Sequence, residues 1–110
     1  MLRRHSDSKV PAGKRLVIEH ISALIAVDAG QKVGGSLQVT TNGRAVFHSF
    51  GLTFQDNGFN ASNDDRFVAS HSLRLYADPE SEVIAEFDRN ASTGTGRGNI
   101  IISGYLVDLP

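Results

Sequence analysis

Apolar and polar residues alternate with a period of two along most of this chain. In "GRAVFHSFGLTFQ" one parity carries Val46, His48, Phe50, Leu52 and Phe54, and in "DRFVASHSLRLYAD" one parity carries Phe67, Ala69, His71, Leu73, Leu75 and Ala77. "SLQVT" adds Leu37 and Val39, and "EVIAEF" adds Val83, Ala85 and Phe87. This is the period of a strand with one face on a core and the other in water. Between the runs stand "VPAG", "DAGQ", "TNG", "DPES" and "STGTGRGN", clusters that accept positive φ or bond their own backbone. About seven strand-like runs without helical periodicity predict an all-β fold, a two-sheet antiparallel sandwich. It is expected to be jelly-roll-like, because the Cys and Trp that mark antibody-type domains are missing.

Two segments depart from the alternation. "RLVIEHISALIAV", residues 15–27, and "NIIISGYLVDL", residues 99–109, are apolar on both parities. If one face of each packs on a core, Ile21, Ile25, Val27, Ile101, Val107 and Leu109 on the other would form an apolar patch larger than a monomer exposes. The first expectation is therefore a homo-oligomer joined through these first and last strands, since soluble oligomers are mostly symmetric assemblies of one chain. Glu19 belongs to the same expected interface, paired with an Arg from a neighbouring strand or subunit, because an unpaired carboxylate on an apolar face is costly. The alternatives are a bend or bulge that sends the two halves of a strand to different cores, and a heterologous partner.

The totals narrow the function classes. A chain of 110 residues with 40% apolar and 21% charged residues suits one folded domain. Residues 1–9 read as a basic, partly disordered leader and residues 10–110 as the sandwich. Eleven Lys and Arg against twelve Asp and Glu, a net charge of −1, supply no general attraction to nucleic acid. The absence of cysteine excludes disulfides and thiolate chemistry. No apolar run reaches the length of a membrane helix, so no membrane insertion is expected, and no signal peptide is visible. An extracellular or periplasmic location is the expectation if the chain is a trimmed mature form.

The candidate chemistry is thin. His20, His48 and His71 each fall on a mostly apolar parity, and three inward imidazoles would suit a transition metal in the manner of a cupin-like metalloenzyme. The spacing argues against that alternative, because no close His-x-His with a following Glu is present. "QDNGFNASNDDR" gathers Asp56, Asn57, Asn60, Asn63, Asp64 and Asp65, oxygen donors for calcium or for sugar hydroxyls, without the spacing of an EF-hand. The three glycines Gly94, Gly96 and Gly98 precede an Ile-rich strand and not the helix a phosphate cradle needs. No Gly-x-Ser-x-Gly elbow or facing pair of carboxylates is apparent. The reading is a non-enzymatic binding or structural module without a required cofactor, whose ligand class is carbohydrate. Phe59, Asn60, Asp65 and Tyr76 are the candidate contacts.

"PAGKRLVIEH" near the start and "GYLVDLP" at the end resemble the two ends of a group of small bacterial β-sandwich proteins of unassigned function, and "FVASHSLRLYADP" in the middle is similar as well. The resemblance implies a bacterial origin and a Pro-Gly turn feeding a strand that pairs with the terminal one. It brings no catalytic residue. An assembly component of a bacterial surface or particle structure is the remaining alternative.

Overall fold

The computed structural model describes residues 2–56, 64–90 and 96–110, with side chains described from Ser8 onward. It consists of β1 (Leu2–Lys9), β2 (Lys14–Asp28), β3 (Val33–Thr41), β4 (Arg44–Phe50), β5 (Thr53–Asp56), β6 (Asp64–Ala77), β7 (Glu82–Arg89) and β8 (Gly96–Asp108). These form two four-stranded antiparallel sheets, sheet A in the order β1-β7-β3-β4 and sheet B in the order β5-β6-β2-β8. The all-β, two-sheet sandwich expected from the alternation is what the chain adopts. Strands of up to fifteen residues, at about 3.3 Å of rise each, account for its long dimension of 54 Å.

The doubly apolar segment has a local explanation. Leu16 and Ile18 face sheet A, and so do Ile21, Ala23, Ile25 and Val27, although the two sets differ in parity. The switch occurs between Ile18 and His20, where β2 slips register against both β6 and β8 and Glu19 occupies the bulge. One residue of slip exchanges the two faces of a strand. A segment that reads as apolar on both sides is thus apolar on one side throughout. Ile21, Ile25 and Val27, expected at an oligomer interface, are instead core residues with essentially no exposure. β2 also has neighbours on both edges, which removes it as a pairing edge.

The core fills two adjoining regions. Val10, Ile18, Ile21, Leu37, Val39, Ala77, Val83 and Ala85 pack together, and Ala23, Ile25, Val27, Ala69 and Phe87 continue the layer. The inward parities expected for "SLQVT", "EVIAEF" and "DRFVASHSLRLYAD" supply most of it. The run 43–55, expected as one strand, is two: the chain leaves sheet A at Gly51 and Leu52 and enters sheet B as β5. Phe54 there meets Phe67 edge-to-face, with ring centroids 5.6 Å apart. Residues 2–9, expected as a leader, lie as edge strand β1 along the whole of β7.

The end of the sandwich holding the β3–β4 and β6–β7 loops is tied by Asp78. Asn42 and Gly43 form the two-residue hairpin with φ of 52° and 78°, the positive values a type I′ turn requires. Their backbone N–H groups donate to the two oxygens of Asp78, at 3.0 and 2.9 Å. Val10 exchanges backbone bonds with Ser81 and Glu80, so the β1–β2 turn is fastened to the same loop.

Candidate functional site on the outer face of sheet B

Because Ile18 is in the core, Val17 beside it points to the outer face of sheet B. Its cross-strand partners are Tyr76 on β6 and Tyr105 on β8. Directly opposite residues of antiparallel strands share a face, so the three side chains form one row. The tyrosines are 40% and 48% exposed, while Val17 between them is 3% exposed. Two strand spacings set the flanking backbones about 10 Å apart.

Polar groups lie next to this row. Arg74, two residues from Tyr76 on the same parity, approaches Glu19 at 3.9 Å, both side chains being well exposed. Glu19 thus has the arginine expected for it on the neighbouring strand of its own chain, and its place in a bulge leaves it in water. His20 comes next, opposite Ser72 and Ser103, with its Nε2 3.0 Å from the hydroxyl of Ser70. Further along, Arg66 and Arg97 flank the small side chain of Ala26. There a depression of about 360 Å³ is lined by Leu24, Ala26, Arg66, Arg97, Gly98 and Asn99.

The residues singled out from sequence do not converge. Phe59 and Asn60 lie outside the described residues. Asp65 and Tyr76 share β6 but are eleven residues apart, roughly 35 Å along a strand. Asp65 is buried and accepts a hydrogen bond from the Gly30 N–H at 2.9 Å, so its role is to hold the β2–β3 turn. Asp64 receives Arg97 at 3.1 Å and Asp56 stands 4.0 Å from Arg66. The described carboxylates of the loop expected to hold calcium are therefore turned towards separate protein partners. Of the described candidates, Tyr76 stays exposed, on the outer face of sheet B.

The histidines are dispersed as well. His20 faces outward from sheet B, His71 lies on the inward parity of β6 with its Nε2 2.9 Å from the Gly51 carbonyl, and His48 belongs to sheet A opposite Leu37. Among the described residues, no group of three His, Cys, Asp or Glu side chains is placed to hold a metal ion. The three-imidazole centre is thus not assembled by this fold.

Tyr105 escaped the sequence reading. It shares the outer parity of β8 with Ile101 and Val107, but its relation to Val17 and Tyr76 depends on register between strands nearly sixty and ninety residues apart in sequence. No family model, curated protein or solved structure matches the chain. Among the described residues no helix is long and apolar enough to cross a membrane.

Proposed function

We propose that this protein is a non-enzymatic binding module that holds an extended glycan across the outer face of sheet B. The observation that carries the reading is the row Tyr76, Val17, Tyr105: two exposed aromatic residues on one face with an apolar residue between them. Aromatic faces stack on the C–H faces of pyranose rings and bury area with little loss of side-chain freedom. Two rings two strand spacings apart match a chain of several sugar units better than a single one. Arg74, Glu19 and His20 beside the row supply donors and acceptors for hydroxyl groups. Binding is favoured over catalysis because Glu19, Asp56 and Asp64 are each set against an arginine.

Titration calorimetry with cellohexaose, laminarihexaose and chitohexaose tests the proposal. At least one is expected to bind, equally with calcium and with EDTA, and Tyr76→Ala and Tyr105→Ala are each expected to weaken it about tenfold, the equivalent of 1.4 kcal/mol. Silence with all three glycans, or binding untouched by both substitutions, overturns it.

Assembly into a larger surface or particle structure is the second reading. The free edge of β8 favours it.

A further inference from the structure

We infer that β8 pairs antiparallel, edge to edge, with β8 of a second copy of this chain, joining two B sheets into one eight-stranded sheet. The inference rests on the assembly reading and is independent of glycan binding.

The four sheet edges differ in kind. β5 has four residues and β4 seven, while β1 has eight, of which Arg3, Arg4, His5, Asp7 and Lys9 are ionisable. Short or charged edges resist pairing. β8 is thirteen residues long, has no proline, and carries no charge from Gly98 to Val107. Among the described residues its backbone pairs with β2 on one side only. Ile101 is 59% exposed, and Tyr105, Leu106 and Val107 are also exposed, although Leu106 has the core-facing parity and Tyr105 the outer one. The strand is thus open on both faces as well as along its edge, as a site of β-addition is.

The strand is complementary to itself. An antiparallel pair centred on Ser103 sets Ile101 opposite Tyr105 of the second copy on the outer face, and Ile100 opposite Leu106 of the second copy on the core side. A strand of this length is about 40 Å long. Covering its edge and both flanking rows buries on the order of 700 Å² per partner, close to the roughly 800 Å² of a standard interface.

The two-fold axis stands perpendicular to the joined sheet, so both outer faces point the same way. Two tyrosine rows then lie on one surface, and a long polymer engaging both gains avidity without a new contact.

Because the chain has no cysteine, a single introduced thiol reads out the register. In Ser103→Cys the two thiols meet across the axis at a separation a disulfide spans, and mild oxidation is expected to give a covalent dimer. Ser72→Cys, on the same face but inside the sheet, is expected to give none. Sedimentation velocity is expected to show a dimer for the unmodified chain and a monomer for Ile101→Lys/Val107→Lys, whose circular dichroism stays that of the parent. A chain that sediments as a monomer at 100-fold the concentration of the cross-linking assay overturns both this pairing and the assembly reading. A dimer that survives Ile101→Lys/Val107→Lys and does not cross-link through Cys at 103 overturns the pairing alone.

Discussion

Gly104 lies so close to Val17 that a β-carbon on it would stand 2.0 Å from the Val17 carbonyl oxygen. The contact occurs where β8 passes the bulge of β2, with Ile18 opposite Gly104 and His20 opposite Ser103. Backbone cannot yield as the end of a flexible side chain can, so the site admits glycine alone. Gly104→Ala is expected to lower stability by about 2–3 kcal/mol, the upper part of the usual range for overpacking. Chemical denaturation checks this, and a loss below 0.5 kcal/mol would show that the two strands are spaced more widely at this point.

Glu19 matters through its place in the count and little through its charge. Its ion pair with Arg74 is exposed, and exposed pairs contribute about 0–1 kcal/mol. Glu19→Gln should therefore leave the denaturation midpoint nearly unchanged. Deleting Glu19 makes His20 adjacent to Ile18, as their partners Ser103 and Gly104 on β8 already are, so plain alternation keeps Ile21, Ala23, Ile25 and Val27 inward. The deletion variant is expected to remain folded by circular dichroism, with any cost confined to the pairing around Ile18 and His20. An unfolded deletion variant would mean that Glu19 is not the extra residue of this strand.

Asp78 links stability to pH. The Gly43 N–H bonded to its carboxylate holds its pKa below the ordinary value, helped by the Asn42 N–H and by the charge of Arg15, and partial burial opposes the shift. A carboxyl whose pKa is lower folded than unfolded adds stability that is complete above the unfolded value, about 3.9. That stability is lost as pH falls through the folded value. Asp78→Ala should cost about 1 kcal/mol at pH 7, less than a buried charged hydrogen bond would because water reaches the side chain. The difference from the parent should shrink as pH drops from 4 towards 2. Urea titrations of both proteins across that range measure it, and a constant difference would exclude the linkage.

Much of the fold was legible because strand period and turn chemistry are local. Asn42-Gly43 announces a hairpin by the positive φ it tolerates, and the inward parity of Val83, Ala85 and Phe87 follows from alternation alone. The break at Gly51 and Leu52 was less visible, since Val46, His48, Phe50 and Phe54 keep one parity across a change of sheet. Of the row Tyr76, Val17 and Tyr105 only Tyr76 was among the candidates read from the sequence, because the row depends on register between distant strands.

Composition and alternation in the chain itself determined an all-β sandwich, most of its core and most of its turns, because these depend on which neighbours along the backbone face the same way. Tertiary structure decided what the doubly apolar runs mean. In β2 the register against β6 and β8 creates a bulge, and residues of both parities reach one core. In β8 no such switch occurs, and the strand keeps Ile101, Tyr105 and Val107 at an open edge. The two runs look alike in sequence, and the difference lies in how many neighbouring strands each one has: β2 is paired on both sides and β8 on one.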